Sequence, residues 1–443
     1  MFDLAQYIGR DAGAATIAAR IEAAIADGRL GAGQRLPTVR ELASQLAVSP
    51  ATIAAAYRTL RERGLVSANT RRGTRVASQP PLRVRGGTPL PAGVRDLASG
   101  NPDPALLPPL GPALARLDPV HKLYGGPVKL PRLAELARED FAADGIIGDI
   151  AVASGALDGI DRLLQTQLRP GDRVIIEDPS WPRINDLVRA VGLRPEPVPV
   201  DQRGLIPAGL EHALRRGARA VIVTPRGQNP TGAAVDPERG DALRRLLGAH
   251  PGAIVIEDDY IAAVADAPYV PLHTASPRWA VIRSLSKVLG PDLRIAPMAG
   301  DALTISQVEG RQLLGAGWVS HLLQQTAAEL WASQETRALL ARAERSYARR
   351  HAALTTALTR RGIIAHGGGL GVWVPLTEES PGETVTTQRL LDRGWAVSPG
   401  ERYRFRTGPG LRITTAALSP DDAERLAAAI DEITRDTQAT YAG

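Results

Sequence analysis

The sequence predicts an α/β protein made of a small helical head and a large domain with a mostly parallel sheet. Three observations lead to this. Residues 1–95 hold 14 arginines against 6 acidic residues, a net charge of +8, whereas the whole chain is only +6. Residues 77–94 contain four prolines and three glycines in 18 positions, without periodicity. From residue 95 onward, short β-branched runs alternate with helical stretches, the rhythm of βαβ units.

In chain order, Ile17, Ile21 and Ile25 recur at helical spacing, with Gly28 as the expected C-cap. Thr38, followed three positions on by Glu41, is a capping box that opens a second helix. A third starts at Ser49, with Pro50 at the first helical position, where its missing N–H costs nothing. Ile53, Tyr57 and Leu60 form its apolar face, and Ala47-Val48 is the turn before it. Leu65-Val66-Ser67 and Thr74-Arg75-Val76, joined by a polar turn over 69–73, predict a two-stranded wing. Residues 1–76 therefore read as a winged helix-turn-helix.

Helix-turn-helix geometry sends the third helix into the DNA major groove, N-terminal residues first. Ser49, Pro50, Ala51 and Thr52 then face the bases, offering hydroxyls and a methyl but no arginine for guanine. Arg40, Arg71, Arg72 and Arg75 reach phosphates or the minor groove, with Gly73 in the wing turn beside them. A basic excess confined to this head is the footprint of a nucleic-acid binder. Residues 77–94 read as an extended linker. At about 3.1 Å per residue it spans roughly 50–55 Å, enough for the head of one subunit to rest on another.

Residues 95–443 read as the large domain. Strands are expected at Arg173–Glu177, Ala220–Thr224, Ala253–Glu257 and Ala280–Arg283, and helices over 155–168 and 236–249. Ligands of such sheets bind at the carboxyl ends of the strands. The notable polar residues fall there: Trp181, Asn229, Asp258 with Tyr260, and Ser284 to Lys287. Lys287 is one of only three lysines among 53 basic residues, so it is not a general solubilising lysine.

Composition excludes other chemistries. There are no cysteines, hence no disulfides or thiolate metal sites. The seven histidines show no metal-ligand spacing, and no metal site is expected. No leader pattern is visible, and no apolar run approaches the ~18 residues needed to span a bilayer. A cytoplasmic protein away from the membrane is expected.

The run from Gly28-Arg29-Leu30 through Gly33-Gln34-Arg35-Leu36-Pro37-Thr38-Val39-Arg40-Glu41-Leu42-Ala43 to Val48-Ser49, Tyr57, Leu60 and Gly64-Leu65-Val66 resembles the GntR family of bacterial repressors over residues 11–77. That family often has a base-reading arginine after the helix-three serine. Pro50 stands there, so readout is expected to lean on the wing and on DNA shape.

The region from Asp96 to Thr434 resembles the fold-type-I, aspartate-aminotransferase-like proteins that bind pyridoxal 5'-phosphate (PLP). Head and domain together resemble the MocR/GabR subfamily of regulators. The resemblance implies a role for each polar residue. Lys287 would join the cofactor aldehyde, which needs a neutral amine where a free lysine titrates near ~10.4. Asp258 would pair with the pyridine nitrogen, with Asp259 as the alternative. Asn229, in Asn229-Pro230-Thr231-Gly232, and Tyr260 would bond the ring hydroxyl. Ser284, Ser286 and Arg294 would hold the phosphate, with a second cradle at Ser154-Gly155-Ala156 where a helix starts. Trp181 would stack on the ring, where the subfamily usually has tyrosine. Tyr124 would reach the phosphate across a dimer interface, and Arg412 would clamp a substrate carboxylate. Two departures concern subunit contacts: Leu157 stands where the subfamily often has glutamine, and Lys129-Leu130-Pro131-Arg132-Leu133 follows its Gly-x-x-x-Leu-Arg only loosely.

The implied function is a PLP-dependent transcription regulator acting on double-stranded operator DNA as a homodimer. Its effector would be PLP or an amino compound captured on it. The alternative is an active aminotransferase that carries a DNA-binding domain. Nothing near Arg412 selects among PLP itself, GABA, taurine or a D-amino acid.

Overall fold

The computed structural model describes residues 4–440 except 10–11, 28, 32, 63–64, 70–72, 77–89, 119, 121–122 and 378. Gly28, Arg71, Arg72 and most of the proposed linker thus lie outside the described residues. The chain divides into two compact units, one of residues 1–87, 169–173 and 183–195 and one of the remainder.

The head contains α1 (Leu4–Ile8), α2 (Ala14–Ala26), α3 (Val39–Leu46), α4 (Pro50–Glu62), β1 (Val66–Asn69) and β2 (Gly73–Val76). Only α1 was not expected. The isoleucines of α2 are buried against Leu42, Leu46, Ile53, Tyr57 and Leu60, so one apolar stripe per helix makes the core. The capping box forms in both directions: Glu41 N donates to Thr38 Oγ1 at 3.2 Å and Thr38 N to Glu41 Oε2 at 2.7 Å. Such a cap contributes about 1 kcal/mol. Ala47 ends α3 in the left-handed region at φ 59°. Ser49 Oγ accepts from Thr52 N at 3.1 Å and so starts α4. The wing is antiparallel, Val66 opposite Val76 and Asn69 opposite Gly73. The segment before α3 adds to it, with Leu36 N donating to Thr74 O and Val76 N to Gln34 O at 2.9 Å each.

The large domain is organised on an eight-stranded sheet. Its spatial order is Asp149–Ala153, Ala296–Gly300, Trp279–Ile282, Ile254–Asp258, Ala218–Val223, Arg173–Asp178, Arg194–Asp201 and Gly204–Leu205. The three strands Ala218–Val223, Ile254–Asp258 and Trp279–Ile282 run parallel, whereas Ala296–Gly300 is antiparallel to both neighbours. Ile254, Val255 and Ile256 are fully buried, as near-continuous apolar strands are when both faces of a sheet are covered. Helices run over Ala156–Gln167 and Pro237–Gly248; the second is capped by Asp236, which accepts from Arg239 N, with proline at its start.

Further along the chain, Gly371–Pro375 pairs antiparallel with His366–Gly368 and with Gly410–Thr414, and Ser398–Pro399 closes a four-stranded sheet. Helices Gln334–Thr359 and Pro420–Thr440 cover it around Leu354, Leu358, Val372, Ile413, Leu426 and Ile430. This small lobe touches the Asn229 loop very closely: a Cβ at Gly232 would come within 2.3 Å of Gly368 N. Among the described residues, no helix is long and apolar enough to cross a membrane.

Candidate functional site

Three neighbouring parallel strands end side by side and deliver most of the expected site. Asn229 follows Ala218–Val223, Asp258 ends Ile254–Asp258, and Ser284 to Lys287 follow Trp279–Ile282. The alternation of a strand separates Asp258 from Asp259. Asp258 is buried, and its Oδ1 has no hydrogen-bond partner among the described residues. Burial first, then the neighbouring Asp259, pushes its pKa up to about 7. Asp259 points elsewhere, held by Arg226 and Arg283. The alternative placing Asp259 on the cofactor ring is therefore corrected: both its oxygens are already bound.

Lys287 ends a single 3-10 turn, Leu285–Lys287, whose start is capped by Ser284 Oγ accepting from Ser286 N. Its Nζ donates to Gly100 O at 2.6 Å. Burial, then the positive charges of Arg412 and Arg294, brings the amine down to about 8. That suits a lysine that must be neutral to attack an aldehyde.

The expected phosphate groups converge. Arg294, left-handed at φ 51°, donates from Nη2 to Ser154 O at 3.0 Å. Gly155 has φ +99°, and a Cβ there would meet Arg294 Nη2 at 2.3 Å, so only glycine lets the arginine sit across the cradle. Ala156 opens the twelve-residue helix, whose first N–H groups favour an anion. Ser154 N is already accepted by Asp158 Oδ2 at 2.7 Å. Ser286 Oγ is buried and without a partner among the described residues, as is Asn229 Oδ1.

Other residues occupy less decisive positions. Tyr260 donates its hydroxyl to Gly227 O at 2.8 Å rather than holding it free. Trp181 is half-buried just past Arg173–Asp178. Arg412 is buried, donating from Nη1 to Ala98 O at 3.1 Å and to Thr414 Oγ1. Tyr124 is 93% exposed and meets Trp318 edge-on, with ring centroids 5.5 Å apart. In the head, Arg40, Ser49, Pro50 and Ala51 are exposed and Thr52 half-buried, with the Ser49 and Thr52 hydroxyls 2.8 Å apart. Gly73 opens β2 beneath the Arg35 side chain, and Arg75 Nη1 turns back to Gly33 O.

Three contributors were missed in the sequence. Ser99-Gly100-Asn101 separates Lys287 from Arg412; its density of turn formers was the available signal. Glu177 is buried beside Asp258, accepting from Thr224 N at 3.2 Å and Gln228 Nε2 at 3.1 Å, and burial lifts its pKa to about 8. Gln228 in turn accepts from Thr231 N and Oγ1, which shapes the Asn229 loop. Nothing in their spacing marks Glu177 and Gln228 as partners.

Chemically, the residues fit PLP. Oxygens of Asn229, Asp258 and Ser286 that lack a partner among the described residues lie at the same strand ends as a depressed lysine amine, Arg294 and a helix start suit a phosphate, and the buried Asp258 carboxyl suits a cationic ring nitrogen.

Comparison with known proteins agrees. Residues 98–430 match the family model for aminotransferase class I and II, and residues 14–76 that for bacterial regulatory proteins of the gntR family. The vitamin B6 salvage pathway transcriptional repressor PtsJ of Salmonella typhimurium is 41% identical over 410 residues, covering 91% of this chain and 94% of the relative. The pyridoxine biosynthesis transcriptional regulator PdxR of Corynebacterium glutamicum is 28% identical over 430 residues, covering 91% of each. A kynurenine aminotransferase of Pyrococcus horikoshii superposes with a TM-score of 0.71 at 22% identity, over 78% of this chain and 91% of the neighbour, which shows the shared fold. The chain belongs to the MocR/GabR type of GntR regulators, a gntR-family head joined to a class I and II aminotransferase domain of the fold-type-I, PLP-dependent kind.

Proposed function

We propose that this chain is a transcription regulator in which residues 1–76 dock on operator DNA, residues 77–94 tether them, and residues 95–443 sense PLP or an amine captured on it. The carrying observation is that three buried side-chain atoms without a partner among the described residues, Asn229 Oδ1, Asp258 Oδ1 and Ser286 Oγ, lie at or just past the ends of three adjacent parallel strands, the last of which leads to Lys287. Leaving buried polar atoms unpaired costs about 1–3 kcal/mol each, so the pocket is built for a polar occupant.

When bound, PLP supplies an aldehyde that captures amines and a ring that withdraws electrons. The chain's residues do the rest. Lys287 presents a neutral amine. Asp258 holds a proton on the ring nitrogen, and Asn229 and Tyr260 serve the ring hydroxyl edge. Ser284, Ser286, Arg294 and the backbone at Gly155 and Ala156 hold the phosphate. Trp181 covers the ring and Arg412 receives a carboxylate. Tyr124 completes the site of a second copy in a homodimer. Its exposure, shared by Val120, Leu123 and Leu314, supports such an interface. The name of the 41%-identical relative, a repressor of vitamin B6 salvage, supports vitamin B6 supply as the target. A regulator bound to bacterial DNA works in the cytoplasm.

A ligand shifts a regulator only through unequal affinity for two states. The test is operator selection from genomic fragments, then DNA affinity of cofactor-free and PLP-loaded protein. A change of about fivefold or more is expected. Identical affinity and footprint for both forms sinks the proposal.

A second reading is favoured by one observation. Lys287 and Arg412 are both in place, so transamination is chemically available. Sustained keto-acid formation that disappears in Lys287→Ala would promote the enzyme reading over the sensor.

A further inference from the structure

Behind the strand ends lies a buried ionic cluster that the cofactor chemistry leaves unused. Arg226 grips Asp259 with a two-pronged fork, Nε to Oδ1 and Nη2 to Oδ2, each at 2.8 Å. Arg283 Nε donates to the same Asp259 Oδ2 at 3.0 Å. Arg283 also donates from Nη1 to Asp140 Oδ2 at 2.7 Å, and both arginines reach Asp144. The side chains of Arg226, Asp259 and Arg283 are at most 7% exposed. Tyr269 lies under both guanidinium groups, at 5.4 Å from Arg226 and 5.8 Å from Arg283.

The three central members sit just past three adjacent parallel strands. Arg226 precedes Asn229 by three residues, Asp259 follows Asp258 directly, and Arg283 precedes Lys287 by four. We propose that Arg226, Asp259 and Arg283 are positioning residues that lock the ends of three strands, and with them Asn229, Asp258 and Lys287, into one fixed arrangement.

Apolar side chains of equal volume often stabilise a fold as well as a buried ion cluster does, so stability alone does not call for one here. Apolar packing does not fix angles, whereas a guanidinium fork meets a carboxylate in one plane and one direction. Ring recognition needs that accuracy, because small displacements of supporting residues weaken a site strongly. Burial raises the Asp258 pKa most, and Asp259 of the cluster adds to it. The charged or titratable groups facing Asp258 are Asp259, Glu177 and Tyr260, and Asp259 makes protonation of Asp258 easier.

This proposal rests on the reading that the pocket holds PLP. The experiment uses the full chain, with PLP as the probe. Affinity is measured by titration, and the pH midpoint of the bound-cofactor absorption is followed in parent, Asp259→Asn, Arg226→Lys and Arg283→Lys. Far-UV circular dichroism and DNA binding report folding. Asp259→Asn is expected to weaken PLP by about tenfold or more. It should also lower the pH midpoint set by Asp258, since a neighbouring negative charge is lost. The lysine variants keep the charge and lose the fork, so they should weaken PLP while moving the midpoint little. A purely structural cluster would lower thermal stability and leave both readouts unchanged in folded protein, which overturns the proposal. If Asp259→Asn does not fold, the two lysine variants decide by the same criterion. Failure of the parent to bind PLP refutes the cofactor reading instead.

Discussion

Lys287 Nζ donates to Gly100 O at 2.6 Å, and a Cβ on that glycine would approach Arg412 Nη2 to 3.3 Å. One short segment thus separates the amine proposed to meet the aldehyde from the guanidinium proposed to meet a carboxylate. Burial, then the positive charges of Arg412 and Arg294, depresses the amine to about 8.

The rate of PLP capture by cofactor-free protein should therefore rise with pH and level off just above 8, because only the neutral amine attacks. An ordinary lysine would keep gaining to ~10.4. Stopped-flow absorbance across pH 6 to 10, taken as about the accessible range, checks this. A rate still climbing steeply at the alkaline end would contradict the depressed amine.

Asp258→Asn should separate stability from function. The carboxyl's folded pKa, about 7, is raised above its unfolded value of ~3.9, so its stabilising contribution is present below ~3.9 and lost as pH rises through 7. Replacing it with the neutral amide removes a burial penalty of at most about 4 kcal/mol at alkaline pH. Cofactor-free Asp258→Asn should melt higher than the parent at pH ~8, converge with it near pH ~4, and bind PLP more weakly. A lower melting temperature at alkaline pH would refute the assignment.

Gly232→Ala places a methyl within 2.3 Å of Gly368 N at a residue with φ +74°. Backbone cannot yield as a flexible side chain does, so destabilisation of about 1–3 kcal/mol is expected. PLP affinity should fall as well, because the displaced loop carries Asn229. Thermal unfolding with PLP titration measures both; unchanged values would mean that the two lobes tolerate separation here.

Arg40 is exposed on α3, which precedes α4, the helix proposed to face DNA. Arg40→Ala should weaken operator binding across all sequences and reduce the slope of log affinity against log salt by about 0.9. Fluorescence anisotropy at several salt concentrations is the measurement. Loss of discrimination with an unchanged slope would assign Arg40 to a base instead.

The sequence by itself determined most of what depends on local order, the short helix α1 excepted. Thr38 and Glu41 are three residues apart, so their capping box and the start of α3 were legible, as was the wing from its alternation and turn. The βα rhythm identified the sheet because strands buried on both faces must be apolar throughout. Lys287, Asp258 and Asn229 were legible because parallel strands deliver their carboxyl ends to one place. Tertiary structure decided the rest. Asp258 and Asp259 are adjacent carboxylates that no pattern distinguishes; the fork of Arg226 and the reach of Arg283 claim Asp259 and leave Asp258 to the pocket. Those arginines lie 33 and 24 residues from Asp259 in the chain, so only the stacking of neighbouring strands brings them together. Glu177 and Gln228, 51 residues apart, meet for the same reason. Partners distant in sequence leave no periodic trace, and a buried charge is explained only by what the fold sets beside it.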